Sequence, residues 1–168
     1  IVGNLIKQEI VSYGWIAAGL LIGSVIGWPL GTRVPMTAMP QRIAISHMFG
    51  ALAATLVGVA EYYTHMREGL AIPRATMAAL GFEVLFGALT VTGSFVAFGK
   101  LQELKWVPSR PLTYKGQNVV NIGIFLATLA MFVYLIVRPD AQVVFYAMLA
   151  IAFVIGADSL HGFAGWRE

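Results

Sequence analysis

Five long runs of apolar residues, separated by short polar segments, constrain this chain more than any other feature. A helix needs about 20 apolar residues to cross the hydrocarbon core of a bilayer. Of the 168 residues, 58% are hydrophobic and only 11% are charged, whereas soluble domains carry about 25% charged residues. The sequence therefore predicts an all-α protein, a polytopic transmembrane helix bundle with about five spanning helices. The predicted spans are residues 10–30, 41–63, 75–98, 118–137 and 141–155.

The basic residues fall mainly in the polar segments, and their distribution predicts an orientation. Seven Lys and Arg lie after the first and third spans and in the C-terminal stub, against four on the other side. Because cytoplasmic loops are richer in Lys and Arg, we expect the N-terminus outside and the C-terminal stub inside. The net charge of +3 then indicates contact with anionic lipid heads of the bilayer, and we expect no nucleic acid as a partner.

Metal and thiol chemistry find little support in the composition. The chain has no cysteine, which excludes disulfides and cysteine-ligated metals. Its three histidines are far apart and lack the spacing of a zinc motif, so we expect no metal site.

One ionisable residue is predicted to lie inside a span. Pro40 suits the first turn of a helix, and His47 follows roughly 9 Å further along the axis. An ionisable group at such a depth is costly and by default marks a functional site. An imidazole titrates near neutral pH and can therefore load and release a proton. The alternative is a neutral imidazole hydrogen-bonded between helices.

Small residues share the predicted helix face of His47. Gly50, Ala51, Ala54 and Gly58 follow it at helical spacing, with Glu61 beyond them. Since small residues let a second membrane helix approach closely, we expect His47 to face protein and not lipid.

Polar side chains also recur on one face of the third and fourth spans. Glu83, Gly87, Thr90 and Ser94 form a stripe on the third span, and Asn121, Phe125 and Thr128 form one on the fourth. Such groups either form hydrogen bonds between helices or hold waters that lead to His47. The other interpretation of Glu83 is a carboxylate that reaches the membrane–water interface. Asp158 follows a glycine, and its simple interpretation is the N-cap of a helix.

An ordered set of short segments carries a resemblance to a known family. The segments are MTAMPQ (36–41) leading to His47, AEY (60–62), TVTGS (90–94), AFGKLQ (97–102), PL (111–112) with GQ (116–117) and Asn121, GAD (156–158) and GW (165–166). In order and approximate spacing they resemble the membrane domain of the proton-translocating nicotinamide nucleotide transhydrogenase, specifically its beta subunit. The resemblance extends from about Gly27 to the C-terminus.

The resemblance implies a membrane unit that conducts protons while soluble domains pass hydride between NAD(H) and NADP(H). It implies His47 as the intramembrane protonatable group. Thr90, Ser94 and Asn121 are further candidates because their polar side chains could hold waters that lead to it. The Gly156-Ala157-Asp158 turn would face the NADP(H)-binding domain, and His161 stands where the family commonly has an amide. The implied partners are the alpha subunit, the NADP(H)-binding domain and a second copy of the complex, in a bacterial or mitochondrial inner membrane. The nucleotides would bind in partner domains, and this chain would bind no cofactor.

The chain also departs from the family pattern. The beta subunit is longer at both ends, and no Gly-rich nucleotide fingerprint follows a strand here. We therefore expect residues 1–168 to form a single transmembrane domain, part of a larger membrane domain, without a nucleotide-binding domain. Ser159 follows Asp158 directly where the family has about one more helical turn, so residues are expected to be missing at that junction. Two other functions stay open: a small secondary transporter or channel subunit, and a structural membrane anchor.

Overall fold

The computed structural model describes residues 13–33, 35–104 and 116–162, without the side chains of Asn118 and of residues 158–162. Its described residues form five α-helices and no strand. They are α1 (Tyr13–Thr32), α2 (Met39–Glu68), α3 (Arg74–Leu101), α4 (Gln117–Val137) and α5 (Gln142–Gly162), and a short 3₁₀ turn (Met36–Ala38) precedes α2. The predicted all-α helix bundle is confirmed.

Length and composition qualify four of these helical segments as membrane spans. They are Tyr13–Thr32, Met36–Glu68, Arg74–Leu101 and Val119–Val137, while α5 contributes the shorter apolar stretch Gln142–Ala157. Many large apolar side chains on the helices are exposed, including Leu21, Ile43, Phe82, Val119 and Val143. An apolar outer surface of this extent suits lipid as the surrounding solvent.

The chain divides into two compact units, Ile1–Met39 and Pro40–Glu168. In the first, α1 has no buried residue, and its end is closed by hydrogen bonds from the Thr32 hydroxyl to the Trp28 carbonyl (2.8 Å) and from the Arg33 amide to the Pro29 carbonyl (3.1 Å). In the second, α3 packs on α4 and α5, and α4 packs on α5. Their core includes Met77, Val84, Leu85, Leu135, Phe145 and Met148.

The helix that contains the second predicted span extends beyond the span. The sequence places its end at residue 63 because polar residues follow, yet α2 continues to Glu68. Gly69 then adopts a left-handed conformation (φ 65°), and the Leu70 amide bonds the His65 carbonyl at 3.0 Å. This is the hydrogen bond of a Schellman cap, so the glycine ends the helix and the polar residues before it do not.

The fifth predicted span agrees closely with the apolar stretch Gln142–Ala157, but the expected turn at Gly156-Ala157-Asp158 is wrong. These residues lie inside α5, which continues to Gly162, so Asp158 is not an N-cap. The absence of a Cβ at Gly156 allows α5 to lie against the backbone of α3, which explains the glycine without a turn. α5 passes through Asp158 and Ser159 without interruption, and the expectation that residues are missing between them stays a prediction.

Candidate functional site

Two glycines let α2 and α3 approach closely. A Cβ at Gly58 would lie 2.6 Å from Val84 Cγ2. A Cβ at Gly87 would overlap Thr55 Oγ1 and lie 3.3 Å from the Ala51 carbonyl oxygen. The expected close approach of a second helix to the small-residue face of α2 is therefore confirmed at Gly58, and α3 is that helix. On α2 the interface follows Ala51, Thr55 and Gly58.

His47 lies on the flank of that interface. Its side chain is exposed, and no described residue forms a hydrogen bond with its ring. A Cβ added at Gly50 would have no described atom within 4 Å. Among the described residues the close contact with α3 passes through Ala51 and Thr55 and not through His47, so the expectation that His47 faces protein and not lipid stays a prediction. Glu61, at the other end of the predicted face, is also exposed.

A pair of glutamines joins the start of α2 to the end of α3. The Gln41 side-chain amide donates to the Leu101 carbonyl at 2.9 Å, and the Gln102 amide donates to Gln41 Oε1 at 3.0 Å. We call these three groups the glutamine bridge. Leu101 is the last residue of α3, whose terminal carbonyls have no partner within the helix. Sequence reasoning missed this role, although Gln41 and Gln102 end two of the segments that carry the family resemblance.

The contacts along α2 and α3 fix the level of His47 in the bundle. Gly58 lies against Val84 and Ala51 against Gly87, and Gln41 reaches Leu101. The two helices are therefore antiparallel. His47 lies between the last two contacts, at a level of α3 between Gly87 and Leu101.

Thr90 and Ser94 belong to this level, and both are partly buried. The Thr90 hydroxyl donates to the Phe86 carbonyl of its own helix at 2.6 Å, which leaves its lone pairs available to accept. The Ser94 hydroxyl has no protein partner among the described residues. Glu83 lies near Gly58, so roughly 15 Å of helix axis separates it from this level.

Helices α4 and α5 bring further predicted residues to the same level. A Cβ at Gly81 would lie 2.7 Å from the Phe132 ring. Asn121 is eleven residues before Phe132 and Thr92 is eleven residues after Gly81, so antiparallel packing puts Asn121 level with Thr92. Gly156 contacts Thr92 directly.

Asp158 follows Gly156 by two residues, and His161 lies about one turn further along α5. We call His47, Thr90, Ser94, Asn121 and Asp158 the His47 layer. The helix register brings these residues to one level of the bundle, and their membership rests on that register and not on direct contact. The side chains of Asp158 and His161 lie outside the described part of the chain.

Thr128, from the predicted stripe of α4, has a structural role. It is 0% exposed, and its hydroxyl donates to the Ile124 carbonyl at 2.7 Å. Asn121 and Phe125 are partly buried. Among the residues that the structure describes, no group of His, Asp or Glu is arranged to hold a metal ion.

Comparison with known proteins places these features in a family. The family model for the NAD(P) transhydrogenase beta subunit matches residues 1–163. Two curated relatives, both NAD(P) transhydrogenase subunit beta of Rhodospirillum rubrum, are each 32% identical over 122 residues. The match covers 70% of this chain and 26% of each relative, so the chain spans about a quarter of their length. The chain belongs to the NAD(P) transhydrogenase beta subunit family.

Proposed function

We propose that this chain is the proton-conducting membrane part of a transhydrogenase beta subunit. In this proposal, proton passage through the chain is coupled to hydride transfer between NAD(H) and NADP(H), which bind in other domains. The observation that carries the proposal is the His47 layer. Three helices contribute a hydroxyl, an amide or an imidazole at one level of an otherwise apolar bundle, where polar groups are costly and therefore mark function.

Within the layer, His47 is the group that takes up and releases the proton. Imidazole can be neutral or charged near pH 7, whereas a lysine would remain charged in the membrane at greater cost. The lone pairs of Thr90 and Ser94 and the amide of Asn121 can order waters that lead to the ring. Hydroxyls and amides suit this task because they both donate and accept hydrogen bonds without carrying charge.

The exposure of His47 bears on how the layer is completed. A histidine in contact with lipid would be costly at this depth, and the relatives are much longer than this chain. We propose that further membrane helices of the same complex cover His47 and Gly50. The conducting path then runs between this chain and those helices.

The end of the bundle that holds the glutamine bridge is proposed to face the NADP(H)-binding domain. Asp158 and His161 lie toward this end of α5, Lys100 lies in the last turn of α3, and the basic residues Lys105, Arg110 and Lys115 follow in the sequence. By the distribution of basic residues this side is the cytoplasm or the mitochondrial matrix, with the N-terminus on the other side of an inner membrane. The alpha subunit, the NADP(H)-binding domain and a second copy of the complex are the proposed partners.

Co-purification tests this function against a transporter or a membrane anchor. The chain, tagged within its native gene context, is purified from membranes in mild detergent, and the bound proteins are identified. We expect nucleotide-binding transhydrogenase subunits or domains and nucleotide-dependent hydride transfer in the preparation. A chain that purifies without any nucleotide-binding protein or such activity would contradict the proposal.

A further inference from the structure

A small groove lies between the end of α2 and the start of α5, at the opposite end of the bundle from the glutamine bridge. Its volume is about 200 Å³, and it is lined by Tyr62, Tyr63, Met66, Arg67, Gln142 and Tyr146. Pockets for drug-sized ligands are larger, about 300–1,000 Å³. The groove is therefore suited to a compact group and is too small for a dinucleotide.

The floor of the groove is held in place by aromatic packing. Tyr62 is 0% exposed, and its hydroxyl donates to the Pro139 carbonyl at 2.8 Å. Its ring stacks on Phe145 with 3.8 Å between ring centroids, and the Tyr146 ring meets it edge-on at 6.5 Å. The Tyr146 ring also meets the Phe145 ring edge-on at 5.5 Å, so two buried rings support its position at the rim.

The rim offers hydrogen-bond donors without protein partners. Tyr63, Arg67, Gln142 and Tyr146 are exposed, and no described residue accepts a hydrogen bond from, or forms an ion pair with, their side chains. A guanidinium can only donate, while phenol and amide groups can donate. Donors that line one small groove favour a ligand rich in acceptor oxygens.

The surrounding carboxylates do not occupy the groove. Glu61 lies 3.7 Å from His65 Nδ1, whose ring also contacts the Glu61 carbonyl at 2.9 Å. Asp140 interacts electrostatically with Tyr62 on the floor of the groove, but neither Asp140 nor Glu68 lines the groove. Arg67 is thus the charged residue among those that line the groove.

We propose that this groove binds a phosphate group, supplied by the headgroup of an anionic phospholipid. An Arg guanidinium pairs with two phosphate oxygens at once, which gives both strength and orientation. The tyrosines at the ends of the apolar helices correspond to the aromatic belt at the level of lipid headgroups. The site is independent of the proposed proton path, because it lies at the other end of the bundle from the His47 layer.

Lipid binding to the purified full complex tests the assignment. Phosphatidylglycerol is titrated into the delipidated complex in detergent, and bound lipid is counted by native mass spectrometry. Arg67→Gln should weaken the tightest binding about tenfold, as expected for a lost charged hydrogen bond. The matched control is Arg74→Gln, since Arg74 is an exposed arginine at the same end of the bundle that does not line the groove. It should bind as the wild type does.

A second variant and a second ligand complete the test. Tyr146→Phe keeps the packed ring, removes one donor and should weaken binding about threefold. Inorganic phosphate, titrated in place of lipid, should neither bind detectably nor displace the lipid. The proposal is wrong if Arg67→Gln and Tyr146→Phe both bind lipid like the wild type, or if Arg74→Gln weakens it as much as Arg67→Gln. Phosphate binding that depends on Arg67 without lipid binding would overturn the lipid as its source.

Discussion

Replacing Gly156 by alanine should weaken the packing of α5 on α3. A Cβ at this position would overlap Thr92 Oγ1 and the Leu89 carbonyl oxygen, and would lie 3.0 Å from the Leu89 carbonyl carbon. The Thr92 side chain can rotate away. The Leu89 carbonyl cannot, because it belongs to the backbone of α3. The two helices must therefore move apart at the level of the His47 layer.

The size of the effect follows from two opposing terms. Overpacking a well-packed contact costs about 1–3 kcal/mol, while alanine in a helix interior gains about 1 kcal/mol over glycine. Gly123 on α4 is the matched control, because a Cβ there has no atom within 4 Å. Gly123→Ala should therefore show the propensity gain alone. The difference between the two variants gives the cost of the overlap, about 1–3 kcal/mol.

The free energy of unfolding of each variant can be measured in mixed micelles by titrating a denaturing detergent and following circular dichroism. We expect Gly156→Ala to unfold at a lower detergent fraction than Gly123→Ala. Equal stability of the two variants would refute the close approach of α5 to the Leu89 carbonyl.

Two further predictions concern hydrogen bonds between helices. Tyr62→Phe keeps the stacked ring but leaves the Pro139 carbonyl without its 2.8 Å partner; the free energy of unfolding should fall by about 1 kcal/mol, and an unchanged value in the same titration would count against this bond. Gln41→Leu removes both hydrogen bonds of the glutamine bridge, whereas Gln102→Leu removes one. The loss of stability, about 1 kcal/mol for Gln41→Leu, should therefore be roughly halved for Gln102→Leu, and the reverse order would contradict the bridge.

The number and type of helices could be predicted from the sequence because lipid imposes a minimum apolar length on each span. The positions of the helix ends could not be predicted in the same way. The polarity of residues after Tyr63 indicates the edge of the membrane, but a helix continues past that edge until a residue such as Gly69 caps it. Glycine alone does not identify a helix end either. Gly69 ends α2, whereas Gly156 lies inside α5 and provides a packing contact with α3.

Periodicity predicted which residues share a helix face, but it could not predict which face meets which neighbour. The stripe through His47 contacts α3 at Ala51 and Gly58, and Thr55 from outside the stripe joins that contact, whereas a Cβ at Gly50 would meet no described atom within 4 Å. The glutamine bridge could not be predicted from the sequence for a related reason. Its partners are 60 residues apart, and only the antiparallel register of α2 and α3 brings them together.

Proton pumping by a His47→Ala variant of the full complex is the most direct test of the proposed function. Acidification of membrane vesicles is followed alongside nucleotide reduction, with Phe49→Ala as the control for an exposed side chain on α2. We expect His47→Ala to abolish pumping and slow the coupled reverse reaction, while hydride exchange that needs no proton passage continues. His47→Asn should fold normally and still fail to pump, because an amide replaces the hydrogen bonds of imidazole but cannot titrate near pH 7. Pumping at the wild-type rate by His47→Ala would contradict the account and leave His47 with a structural role only.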